Sequence, residues 1–404
     1  MMTLDDILDH ETARLQGFVE NQRFAFLERL SHSKLALLVI AMMVVVFQMR
    51  NLPEQLANSS LDAAIAVERP VPPKSVRLVV IDDDDYKSLF HARSPLDPNA
   101  LAELLTAVAK GHPQAVLVDL DTSDDSFRTM PVPDVPIIWN VAGEQLKDGK
   151  FLIDSPLGRR ELPKRSVEAL AIAPRDERGI VRGYQHSYVL ESGGTVDSPG
   201  YAAAKVVAGH APDDPASHAG QTHYLDFRYR FAPIKARDLL QDAQSPGWEN
   251  LAFFNGQVVV VGGAYRVARD QYATPRGLMD GSAIVAQAAA AEIEGTYITP
   301  ASRWMTGLLM IAGGLATLVV YHCFKFRTAF FISLGLVPLL SIASNWVLFH
   351  RFAAWGAMVP LVIAVIIAEL YSKAALYLAF YQKVVKLKAK NGDRAPAEHV
   401  QASH

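Results

Sequence analysis

Four stretches of this chain are almost free of charge, and that pattern constrains the fold more than any motif does. Crossing about 30 Å of hydrocarbon takes roughly 20 apolar residues at about 1.5 Å of rise each. Residues 304–324, 328–350 and 353–373 approach that length, and a shorter run covers 35–49. We therefore expect an integral membrane protein with one span near the start and three closely spaced spans near the end. A cleaved leader at 35–49 conflicts with the long polar stretch ahead of it, and Ala64-Ile65-Ala66 lies too far downstream for a signal peptidase.

Basic residues are retained on the cytoplasmic side of a span. Arg23, Arg29 and Lys34 precede the first run, Lys325 and Arg327 separate the second from the third, and Lys383, Lys386, Lys388 and Lys390 follow the last. Only His350 and Arg351 stand between the third and fourth. The expectation is that both termini are cytoplasmic and that residues 50–303 form one folded domain across the membrane.

A formal charge of -3 gives no footing for nucleic-acid binding. The single cysteine, Cys323, excludes an intrachain disulfide and a cysteine-based zinc site. Twelve histidines lack metal-ligand spacing, Ser282 lacks a nucleophile elbow, and Gly262-Gly263 lacks a phosphate-loop pattern and reads as a tight turn. No catalytic residue, metal or cofactor is expected.

Within 50–303, short β-branched runs alternate with helix-like stretches, the pattern of an α/β fold with a mixed, mainly parallel sheet. Strands are expected at Val76–Ile81, Ala115–Leu120, Pro136–Trp139, Ala169–Ala173, Tyr184–Leu190, Tyr224–Tyr229 and Val258–Val261. Helices are expected at Pro98–Lys110, Pro199–Ala208 and Ser282–Glu294.

The order and wording of several segments are distinctive. They include VVIDD at 79–83, AVLVDLD at 115–121, DERGIVRG at 176–183 and FAPIKARDLL at 231–240. Asp270, Thr274 and Pro275 form an Asp-x-x-x-Thr-Pro turn, and Gly281 leads into a helix with a small-residue face. Over nearly the whole domain this resembles the type-two CHASE family, the extracellular sensory domains of bacterial cyclases and histidine kinases. Ala286 and Gln287 stand where family members often carry a His-Ala pair. The resemblance implies the same membrane plan in a bacterial inner membrane, with the domain periplasmic or extracellular, and normally an output module after the last span. Only a helix and a polar tail, 374–404, follow the last span here, so the signal is expected to pass to a separate protein.

Carboxylates crowd the ends of two expected strands, Asp82 to Asp85 on one and Asp119, Asp121, Asp124 and Asp125 on the next. Ligands of open α/β sheets bind at that end. The binding candidates are Asp82, Asp84, Asp119 and Asp121, joined by Asp270, for a cation or an amine-bearing small molecule. The competing reading is that these aspartates cap turns and helices.

Residues 1–34 place Leu4, Ile7, Leu8, Leu15, Phe18, Val19, Phe26 and Leu30 at helical spacing, with a face acidic enough to favour a protein partner over anionic lipid. Leu376, Phe380, Val384 and Leu387 continue an apolar stripe past the last span. Either the Leu4–Leu30 helix or the C-terminal helix could carry the protein contact, and a homo-oligomer is expected. The leading function is a sensor or regulatory subunit answering a small-molecule or ion signal; the alternative is a structural subunit of an envelope complex.

Overall fold

The computed structural model describes residues 54–209, 222–324 and 326–355. The expected helix at 1–34, the span at 35–49, nearly all of the span at 353–373 and the segment 374–404 lie outside them. The described residues fall into two compact units, Ser59–Pro300 together with Leu348–Trp355, and a second that includes Ala301–Val347.

The first unit begins within helix α1 (Glu54–Val67) and then runs into strand β1 (Val76–Ile81). A short helix α2 (Asp83–Ser88) follows, and helix α3 (Pro98–Lys110) leads to β2 (Ala115–Asp119), β3 (Ile137–Val141) and β4 (Ser166–Leu170). Next come β5 (Gly183–Gln185), α4 (Pro199–Ala208), β6 (Thr222–Tyr224), β7 (Ile234–Lys235), α5 (Ala236–Ala243) and β8 (Val258–Gly263). The hairpin β9 (Gln271–Thr274) and β10 (Gly277–Asp280) precedes α6 (Gly281–Glu294) and β11 (Thr299–Pro300).

The central sheet has six strands in the order β7-β1-β8-β2-β3-β4, and every pairing is parallel. Parallel strands need crossovers on the faces, so both faces are covered and the strands read as unbroken apolar runs. Side chains alternate accordingly. Val79, Ile81, Val116, Val118, Val259 and Val261 pack with Leu101, Leu104, Leu105 and Val108 of α3. Val76, Leu78, Val80, Leu117 and Val260 pack on the other side with Ala202 and Ala203 of α4 and Ala286, Ala289 and Ala290 of α6. The limits of α3 follow from its ends: the Asp97 side chain accepts from the Asn99 N–H, Pro98 opens the first turn, and Gly111 closes the last.

Four expectations shift. The strand expected at 169–173 lies at 166–170, where it pairs with Ile137–Val141. The run 184–190 splits at His186, because 183–185 pairs with β6 while 187–189 pairs with 195–197. The run 224–229 is strand only in Thr222–Tyr224, since Phe227 takes a left-handed φ of 49°. Gly262-Gly263 is not a turn; the two residues end β8, paired with Val80 and Ile81.

The expected spans at 304–324 and 328–350 are helices, α7 (Arg303–Cys323) and α8 (Phe326–Phe352). Among the described residues, no helix is long and apolar enough to cross a membrane. The expected span at 353–373 does not begin as helix, because Ala354–Trp355 forms a strand, β12, pairing in parallel with β11.

Candidate functional site

At the carboxyl edge of the sheet the strands end and the chain turns aside, leaving a cavity of about 400 Å³. Asp119 and Asp121 reach it from the end of β2, Asn140 from β3, and Asp270 from the residue before β9. Tyr184, Tyr265 and Tyr272 supply aromatic surface, and Gly200 and Gly281 bring in the first turns of α4 and α6. Glycines let these elements close. A Cβ on Gly262 would stand 2.3 Å from the Ser282 Cβ, and one on Gly281 would stand 2.1 Å from the Asp270 Oδ2.

Asp119 and Asn140 form the innermost polar pair. The Asn140 Nδ2 donates to the Asp119 Oδ1 at 2.6 Å. The Asp119 Oδ2 and the Asn140 Oδ1 are buried without a partner, and Asn140 is only 6 % exposed. Burial pushes the Asp119 carboxyl up to about 7; the Asn140 bond opposes the rise, and the charge on Asp270 adds to it. Burial also raises the Asp270 carboxyl, against a hydrogen bond from Tyr272. Arg175 lies over the Tyr272 ring at 4.8 Å from its centroid.

Three of the five sequence candidates therefore converge: Asp119, Asp121 and Asp270 line one cavity. Asp121 is partly committed, accepting from the Ser123 N–H at 2.9 Å and its hydroxyl at 2.7 Å. Asp82 and Asp84 do not line this cavity. The Asp82 side chain caps α2 by accepting from the Asp84 and Asp85 N–H groups. It also meets Lys235 at 3.0 Å and Arg237 at 3.2 Å. Arg237 reaches Asp84 at 3.3 Å and the fully buried Asp85 at 3.1 Å. Lys235 of β7 and Arg237 of α5 thus pair with three carboxylates of the run, Arg266 reaches the fourth, Asp83, at 3.4 Å, and the first turn of α2 adds backbone donors.

Asn140 escaped the sequence reading, although a polar residue inside the apolar run IIWNV was its signal. The three tyrosines carried none. The turn at 176–183 proves structural: Asp176 accepts from the Arg178 and Ile180 N–H groups around Gly179. Arg182 then joins Asp176 at 2.5 Å and Asp62 of α1 at 2.7 Å. Burial works to raise Asp176, but the Ile180 N–H and Arg182 prevail and hold it at about 2. Where the family often carries a His-Ala pair, Gln287 is buried and bonds both the N–H and the carbonyl of Tyr229.

A parallel sheet covered on both faces, with a cavity at its carboxyl edge, defines an open α/β domain. The chain belongs to the CHASE2 domain family, which matches residues 37–320, well over half of it. CHASE2 domains are sensory domains. No curated protein and no solved structure gives a match.

Proposed function

We propose that this chain is a membrane-anchored sensory protein that takes a small amine-bearing ligand in its cavity and hands the response to a separate protein. The observation that carries the reading is the Asp119–Asn140 pair, with one buried acceptor oxygen on each side chain left without a donor at the cavity. Such oxygens cost about 1–3 kcal/mol each while unmet. An ammonium group supplies several donors and the charge that would hold Asp119 ionised. The volume suits a metabolite-sized molecule. Among the described residues no three His, Cys, Asp or Glu side chains are placed to hold a metal ion, which favours an organic amine over a bare cation.

Attachment to a membrane is supported by apolar side chains left exposed in a stripe along α7, Trp304, Leu308, Ile311, Leu315 and Val319, and along α8, Phe331, Leu339, Ile342 and Trp346. Exposed apolar surface of that extent needs lipid or another protein to cover it. Delivery of the signal through the Leu4–Leu30 helix or the C-terminal helix, in a homo-oligomer, completes the proposal.

The test is a thermal-unfolding screen of the purified full-length chain against primary amines and their neutral isosteres. The expected result is a concentration-dependent rise in Tm with at least one amine, absent with its isostere and lost in Asp119→Asn. A rise that survives Asp119→Asn would remove the cavity from the proposal.

A further inference from the structure

The walls of the cavity carry charge of one sign. Asp119, Asp121 and Asp270 line it, and among the described residues no lysine, arginine or histidine does. Asp121 accepts from Ser123 through one oxygen. Arg175 lies over the Tyr272 ring and tempers the charge on Asp270, which also accepts from Tyr272, but Arg175 does not line the cavity.

Asp119 and Asp270 flank the first turn of α6. A Cβ on Gly262 would stand 2.3 Å from the Ser282 Cβ and 3.4 Å from the Asp119 Cβ, so Asp119 approaches the helix near Ser282. A Cβ on Gly281 would stand 2.1 Å from the Asp270 Oδ2, so Asp270 approaches it one residue earlier. The two are close enough for charge on Asp270 to lift Asp119, and burial raises both. Beside them the Asn140 Oδ1 and the Asp119 Oδ2 are buried and still lack a donor. Neutral side chains complete the lining: Val141, Ile172, Ile284 and Val285 are apolar, and Tyr265 is fixed by stacking on Tyr86 at 4.4 Å with planes 2° apart.

We propose that the amine taken by this cavity is a dication, a linear aliphatic diamine or polyamine without a carboxylate, with one ammonium at Asp119 and Asn140 and the second at Asp270; this rests on the amine reading above. A single ammonium would meet one carboxylate and leave the other repelled or protonated in a site poor in water. Two ammonium groups neutralise both and bring donors to the orphaned oxygens.

The same walls select against other amines. A free amino acid carries its own carboxylate into a cavity lined by three aspartates and by no cation among the described residues, where that charge would be buried against its own sign. Discrimination thus comes from repulsion as well as attraction. The methylenes of an alkyl diamine suit the valine and isoleucine lining, and tyrosine rings accept ammonium groups on their faces.

Titration calorimetry of the purified full-length chain tests this. The titrants are the straight-chain diamines from 1,3-diaminopropane to 1,6-diaminohexane, each beside the monoamine of equal carbon number. At least one diamine is expected to bind about tenfold tighter than its monoamine, or more. Of 1,4-diaminobutane and 1,5-diaminopentane, the tighter is expected to exceed its α-carboxylated form, ornithine or lysine, by a similar factor. In Asp270→Asn the ratio of diamine to monoamine affinity is expected to fall towards one. Should that variant not fold, the wild-type comparisons still decide. Diamines no tighter than monoamines, amino acids binding as well as their decarboxylated forms, or a diamine advantage kept by folded Asp270→Asn would overturn the proposal. Monoamine binding with no diamine advantage sinks this inference and leaves the amine reading standing, whereas no binding of any amine sinks the amine reading and this one with it.

Discussion

Asp119 and Asp82 each sit at the end of a buried strand, yet they do opposite things. Asp82 is lowered: burial works against it, but the Asp85 N–H and Lys235 outweigh the burial. Asp119 is lifted from 3.8 to about 7 by burial. The folded chain therefore keeps a proton on Asp119 that the unfolded chain has already lost. The stability this contributes is complete below about pH 4 and disappears as pH rises through 7. Asp119→Asn is expected to raise stability by up to about 4 kcal/mol at pH 8 and to change little at pH 4, measured by thermal unfolding at both. At the other cluster, Arg237→Ala strands the buried Asp85. Urea unfolding should register a loss of roughly 1–2 kcal/mol, moderated because the arginine is partly exposed, and the amine response should persist. Neither outcome could be read from the aspartate runs alone, because Lys235 and Arg237 lie some 150 residues further along the chain.

Among the elements, α4 and α6 cross closely on one face of the sheet, and Gly200 makes the approach possible. A Cβ there would stand 2.8 Å from the Ala288 carbonyl carbon and 2.9 Å from its oxygen, which are backbone atoms in a helix and cannot step aside. Gly200→Val is expected to cost about 1–3 kcal/mol and to disturb the cavity wall that both helices share, read as a lower urea midpoint and a weaker amine response. The apolar runs at 76–81 and 258–261 and the capped helix at 98–110 were legible because local pattern and tertiary role agree there. The short strands were not. His186 divides a continuous β-prone run because its two halves pair with different partners, and that choice is made by residues distant in sequence. Of the residues lining the cavity, Asp119, Asp121 and Asp270 were legible because parallel topology collects strand ends at one edge.

For the whole molecule, the membrane reading makes a demand that one atom can test. In chain order, α7 and most of α8 lie between Pro300, where the sensory unit is left, and Leu348, where it resumes. If the unit is periplasmic or extracellular, the junction between these helices lies on the cytoplasmic side, where Lys325 and Arg327 fit the retention of basic residues. Cys323, the sole cysteine, is exposed at that junction. A membrane-impermeant maleimide should fail to label it in intact cells and should label it in inside-out vesicles. The converse is expected of Cys323→Ser combined with Val267→Cys, because Val267 is exposed on the sensory unit. Label reaching both positions from the same side would break the membrane plan and leave the exposed stripes of α7 and α8 to be covered by another protein. The folded sensory unit and its cavity would be unaffected by that result, because the sheet, its two covered faces and the Asp119–Asn140 pair owe nothing to the bilayer.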